Sequence, residues 1–120
     1  MNPKQECKKL INSFKYAIEG FVSSFKTERN MKLHVLAMVL VVALGFYLKL
    51  NFAEWCFITL AISLVIGAEL FNTAIETVVD MISPEKNPKA KLAKDISAAA
   101  VLALSIGAAI VGLMIFLPKI

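Results

Sequence analysis

The chain has 120 residues, enough for one domain, and 58% of them are hydrophobic, with a mean hydropathy of +0.72. A water-soluble domain of this size does not carry so much apolar surface, so lipid is the expected solvent for most of it. The net charge of +4 is accounted for by where the basic residues fall, and no nucleic-acid partner is needed to explain it.

Residues 1–30 are charged throughout and contain no uninterrupted apolar run, so no cleavable signal peptide is expected and the N-terminus should stay where it was made. Within residues 4–27, Leu10, Ile11, Phe14, Ala17, Ile18, Phe21, Val22 and Phe25 recur at the helical period. Lys8, Lys9, Asn12, Tyr16, Glu19 and Ser23 occupy the other face. A helix of this kind lies in the membrane surface, its lysine stems covering apolar area while their charges reach the headgroups.

Residues 31–50 make the first predicted span, closed by the polar break at Lys49, Leu50 and Asn51. The second helix, 52–82, is about 45 Å long at 1.5 Å per residue and exceeds a hydrocarbon core of about 30 Å, so its last turns must leave the membrane. Ser83 and Pro84 stop it, and Pro88 is expected to keep the lysine-rich segment 83–94 from resuming a helix. The third span, 95–117, carries small residues every fourth position, at Ala99, Ala103 and Gly107 and again at Ala108 and Gly112, which lets helices approach closely. The fold class is thus an all-α membrane protein, three transmembrane helices preceded by an amphipathic surface helix.

Lys4, Lys8, Lys9, Lys15, Lys26, Arg29 and Lys32 precede the first span, and Lys86, Lys89, Lys91 and Lys94 fill the loop before the last. Lys49 and Lys119 alone remain for the opposite side. The positive-inside rule then makes the N-terminus and the 83–94 loop cytoplasmic. Cys7 and Cys56 fall in a charged terminal segment and inside a span, so neither a disulfide nor a metal spacing is expected of them.

The second helix carries Glu69, Asn72, Glu76 and Asp80, which fall within an arc of roughly 80° at ~100° per residue. One charge at mid-bilayer depth costs about 2.5–3.5 kcal/mol, so a polar stripe on a membrane helix points to function. Counting about 20 residues inward from the outer end leaves Glu69 just inside the hydrocarbon edge, with Glu76 and Asp80 beyond it. Pairing between helices to fix an oligomer is the plainer alternative, but it needs only one or two such groups. Three carboxylates and an amide facing four lysines more readily make a site for a divalent cation and an anionic ligand.

Glu28, before the first span, and Lys94 and Asp95, before the third, meet this stripe at the same depth. Carboxylates for Mg²⁺ and a lysine for phosphate oxygens are what phosphoryl transfer uses, since it depends on positioning and charge neutralisation. The chain has no GxxxxGK[ST] loop, no GxGxxG and no protein-kinase signature, so a nucleotide would bind through another arrangement. His34, the single histidine, sits at the edge of the first span and is expected to pack or hydrogen-bond there.

Taken together, Glu69-x-x-Asn72-Thr73-Ala74-Ile75-Glu76-x-x-x-Asp80 and the following Ala93-Lys94-Asp95 resemble the signature of the prokaryotic diacylglycerol kinase and undecaprenol kinase family. The resemblance extends to Phe14-x-Tyr16-Ala17-x-x-Gly20, Thr27-Glu28-Arg29-Asn30, Glu54-Trp55 and Ser83-Pro84-Glu85. It implies a homotrimer in the cell membrane that phosphorylates a lipid alcohol with ATP and Mg²⁺, its active sites at the cytoplasmic boundary. By the same resemblance Glu69 is the general base that meets the lipid, Glu28 and Glu76 the metal ligands, and Asn72 and Asp80 a supporting polar shell. Tyr16, Glu28, Glu76, Glu85, Lys86, Asn87, Lys94 and Asp95 would serve the nucleotide. Glu19 and the Lys86-Asn87 pair depart from the family pattern. Thr27 to Asn30, His34 and Glu54-Trp55 look more like the undecaprenol kinase branch than the diacylglycerol kinase branch. The non-enzymatic alternative is a small pore or scaffold oligomer.

Overall fold

A computed structural model describes residues 2–120, which form four α-helices and no strand. Helix α1 (Pro3–Thr27) starts with a capping box: the Asn2 side chain accepts from the Gln5 N–H at 2.9 Å and Gln5 Oε1 answers the Asn2 N–H at 3.4 Å, with Pro3 in the first turn. It ends at Glu28, whose extended backbone (φ −104°, ψ 117°) turns the chain into α2 (Arg29–Tyr47). Ser24 is the one buried residue of α1, while Leu10, Ile11, Phe14 and Ile18 are exposed along one face. An apolar face left uncovered over more than two turns suits a helix lying in the membrane surface.

Helix α2 closes three residues earlier than the span predicted from hydropathy. Leu50 N–H reaches Gly45 O at 3.1 Å and Lys49 N–H reaches Phe46 O at 3.3 Å, with Lys49 in the left-handed region at φ 56°. That is a Schellman closure with lysine where glycine is usual. Asn51 then caps α3 (Phe52–Ile82) in a second capping box with Glu54, both bonds 2.9 Å.

The segment 83–94 is not a loop throughout. Helix α4 (Pro88–Phe116) begins within it and is followed by a 3₁₀ turn, Leu117–Lys119. Proline has no N–H to lose at the first helical position, and Asn87 Oδ1 accepts from the Lys89 N–H at 2.8 Å and the Ala90 N–H at 3.4 Å. Pro88 therefore starts a helix instead of preventing one. The connection between α3 and α4 shrinks to residues 83–87.

Helix α4 packs along α3 in the most extensive interhelical contact of the chain, α2 makes a smaller one with α3, and α2 and α4 do not pack on each other. The buried apolar cluster lies at the end of the bundle that carries the α2–α3 turn: Leu50, Ile58 and Phe116, flanked by Val41, Leu48, Trp55, Ile62 and Ile115. Gly45 fits beneath Trp55, where a Cβ would stand 2.7 Å from the indole Cη2. Glu54 and Lys119 pair at 3.1 Å across the same end. At the other end α2 is anchored by Met31, which is fully buried.

Close approach thus occurs at Gly45, not on the small-residue ladder of α4, since a Cβ at Gly107 or Gly112 would meet nothing within 4 Å in the protomer. Leu40, Leu60, Leu102 and Ile110 stand mostly exposed along the three long helices. Each of these helices is long and apolar enough to cross a membrane, and lipid is the solvent that accommodates such side chains. Cys7 and Cys56 are exposed free thiols.

Candidate active site

Opposite the apolar cluster, where α1 meets α2 and α3 meets α4, the polar residues of α3 are graded by depth. Glu69 is 1% exposed and Asn72 6%, Glu76 is half-buried, and the Asp80 side chain is 61% exposed. One helix face carries all four from the interior to water, as its periodicity requires.

Asn72 is fixed at both ends. Its Nδ2 donates to Glu76 Oε1 at 3.2 Å, and its Oδ1 accepts from the Ser97 hydroxyl of α4 at 2.6 Å. Only this amide orientation works, because a carboxylate accepts and cannot donate. The Ser97 hydroxyl also lies 3.0 Å from Lys94 O, one turn back on its own helix. Ser97 is buried and was invisible as a site residue in the sequence. A serine in an alanine-rich helix gives no signal until α4 is docked against α3.

A second link between the two helices is the ion pair of Lys94 with Asp80. Asp95 does not join it, pairing instead with Lys91 one turn earlier on α4 at 2.6 Å. Glu85, Lys86 and Asn87 line a cleft of about 740 Å³ together with Asp80, Lys91 and Lys94. Tyr16, on the exposed surface of α1, is not part of that cleft.

Glu28 makes no cap hydrogen bond with its side chain, although it stands at the N-cap position of α2. Its carboxylate and that of Glu76 are both near enough to Glu69 to act on its charge. Among the described residues no three acidic, histidine or cysteine side chains are drawn tightly enough to form a ready-made metal cage. Mg²⁺ does not require one, since it commonly takes one or two carboxylates and completes its shell with phosphate oxygens and water.

Glu69 is the most buried polar residue of the chain among those described, and its Oε2 has no hydrogen-bond partner in the protomer. His34 of α2 faces it, Nε2 to Oε2 3.7 Å. The packing or hydrogen-bonding role expected of His34 from its position named no partner, and this neighbour depends on how α2 is rotated against α3. His34 also stands at one end of an apolar groove of about 500 Å³, floored by α3 and walled by α2 and α4.

The family model described as prokaryotic diacylglycerol kinase matches residues 15–116. The undecaprenol kinase of Bacillus subtilis (strain 168) is 40% identical over 117 residues, covering 98% of this chain and 95% of the relative. A diacylglycerol kinase of Synechocystis is 38% identical over 120 residues, covering 99% of this chain and 69% of the relative. That of Pseudomonas aeruginosa is 34% identical over 93 residues, 78% and 76% of the two chains. With the match running from the middle of α1 through α2, α3 and α4, the chain belongs to the prokaryotic diacylglycerol kinase family.

Proposed function

We propose that this chain transfers the γ-phosphoryl group of ATP to the hydroxyl of a membrane lipid alcohol, and that the acceptor is undecaprenol. The observation that carries this reading is Glu69: a buried carboxylate with an unpartnered oxygen, on the same helix face as the Asn72 and Glu76 pair that leads toward water. A base that must reach a hydroxyl tethered in lipid belongs at that depth, and the charged triphosphate belongs at the wet end. Undecaprenol as acceptor is supported by the Bacillus subtilis relative, which matches over nearly the whole of both chains. Diacylglycerol is the second reading, favoured by the names of the other relatives.

In this reading Glu69 accepts the hydroxyl proton as the alcohol oxygen attacks the γ-phosphorus and ADP departs. Asn72 holds the Glu76 carboxylate in place from behind, with Ser97 holding Asn72. Lys94 offers its ammonium to phosphate oxygens from the cleft that Glu85, Lys86 and Asn87 share. Glu28 and Glu76 would hold Mg²⁺, which neutralises phosphate charge. Tyr16 and Asp95 stand apart from this cluster in one protomer, and their nucleotide role rests on the resemblance and on assembly into a trimer. The site faces the cytoplasm of a cell-membrane protein, in keeping with the lysines gathered at residues 86–94.

The test is purified protein in mixed micelles with radiolabelled ATP and Mg²⁺, offered undecaprenol or diacylglycerol. Label is expected in undecaprenyl phosphate at the higher kcat/KM. A preference for diacylglycerol would reverse the acceptor assignment, and no transfer to either would defeat the kinase reading.

A further inference from the structure

Glu69 Oε2 and His34 Nε2 are 3.7 Å apart, too far for a direct hydrogen bond. One oxygen atom about 2.8 Å from each would bridge them, at an angle of roughly 80°. The carboxylate oxygen is buried and unpartnered, so it is short of a donor. Protonated on Nε2, or on both ring nitrogens, the imidazole has a hydrogen to offer. A hydroxyl satisfies both at once, donating to the carboxylate and accepting from the ring.

Where a carbon chain attached to such a hydroxyl would lie is set by the groove that begins at His34. It is lined by Met38 and Val41 of α2, Val65 of α3 and Ala109 and Leu113 of α4 among others. Its volume of about 500 Å³ lies inside the ~300–1,000 Å³ range of small-molecule sites. That is room for the first part of one apolar chain. An apolar trough that begins at His34, with the Glu69 carboxylate 3.7 Å behind the imidazole, matches an amphiphile whose only polar group is a terminal hydroxyl.

We infer that His34 is a substrate-orienting residue: it donates to the oxygen of the acceptor's hydroxyl while Glu69 takes the proton, and the acceptor's chain lies in the groove between α2 and α4. This rests on the kinase reading given above. The hydroxyl O–H bond breaks toward Glu69, a lone pair of the same oxygen forms the new bond to the γ-phosphorus, and the bond from that phosphorus to ADP breaks. Another lone pair of that oxygen keeps accepting the hydrogen bond from the His34 Nε2–H. With only the bond to Glu69, the alcohol could rotate about it; the second contact, from another helix, removes that freedom. Pre-orienting a nucleophile in this way lowers the entropic part of the barrier.

The experiment measures steady-state kinetics of His34→Leu, His34→Gln and Ala109→Leu beside the unaltered chain. Loss of the donor in His34→Leu should raise KM for the lipid alcohol about tenfold or more while KM for MgATP stays within about twofold. His34→Gln, whose amide can donate, should recover most of the lipid affinity, and Ala109→Leu should raise the lipid KM by narrowing the groove. Unchanged lipid KM in His34→Leu would overturn the inference. So would a parallel rise in both KM values with loss of thermal stability, which would make His34 a packing residue, or a His34→Gln as impaired as the leucine variant. If Ala109→Leu instead breaks the oligomer on a sizing column, the groove belongs to a second copy of the chain and the placement of the lipid is wrong. Failure of the unaltered chain to phosphorylate any lipid alcohol is a different result, which removes the kinase reading and this inference with it.

Discussion

Ser97→Ala isolates the bond that ties α4 to the acidic face of α3. The Ser97 hydroxyl donates to Asn72 Oδ1 at 2.6 Å, and the two residues are 8% and 6% exposed. Removing it leaves a buried amide oxygen without a donor, at a cost of about 1–3 kcal/mol. The other end of that amide holds Glu76 Oε1 at 3.2 Å, so a loosened Asn72 should also loosen Glu76. If half of the loss appears there, about 0.5–1.5 kcal/mol, apparent MgATP affinity falls about two- to twelvefold. Thermal unfolding in detergent reads the first quantity and MgATP KM the second. In an Asn72→Leu background, where no oxygen is left to orphan, Ser97→Ala should cost less than about 0.5 kcal/mol more. A Ser97→Ala protein with unchanged melting and unchanged KM, or an equal cost in both backgrounds, would refute the relay from Ser97 through Asn72 to Glu76.

Glu69→Gln preserves volume and hydrogen bonding, so turnover should drop by a factor of about 10² or more while lipid and MgATP bind nearly as before; full activity, or loss only through dissociation of the oligomer, would make the carboxylate structural. Glu76→Gln and Glu28→Gln should each weaken apparent Mg²⁺ and MgATP affinity together with assembly intact, and normal activity of Glu76→Gln at limiting Mg²⁺ would remove it as a ligand. Phe14→Glu or Phe21→Glu should release α1 from the membrane surface while a charge at Asn12 is tolerated; equal protease accessibility of all three in liposomes would contradict the docking of α1.

Much of this architecture was legible because helical period and hydropathy are local. The stripe of Glu69, Asn72, Glu76 and Asp80 needs only the geometry of one helix, and the depth of Glu69 relative to Asp80 follows from counting residues. Pro88 was misread because a proline that breaks a helix and one that begins a helix look alike until the cap is known, and Asn87 supplies the cap. Ser97 and His34 were illegible for another reason. Each acquires meaning from a partner on a different helix, and the rotation of α4 and α2 about α3 is not written in any single periodic pattern. The Lys91 partner of Asp95 is a matter of local choice, since an i, i+4 neighbour was available as readily as the ions of the site.

Helix α2 is held by two buried residues, Met31 and Gly45, some 21 Å apart at 1.5 Å per residue. It therefore behaves as a beam on two supports, free along its side toward α4. A side chain at Gly45 must move Trp55 or the helix; suppose the helix yields by about 1 Å at that support and pivots on Met31, three residues from His34. His34 would then shift by only about 0.2 Å, whereas Met38, halfway along the groove, would shift by about 0.5 Å. The end that carries His34 and Glu69 is buffered against disturbance from the far side of the bilayer, while the width of the trough is not. Substitutions at the turn end should accordingly retune which acceptor chains fit, through lipid KM, and leave the chemical step nearly untouched.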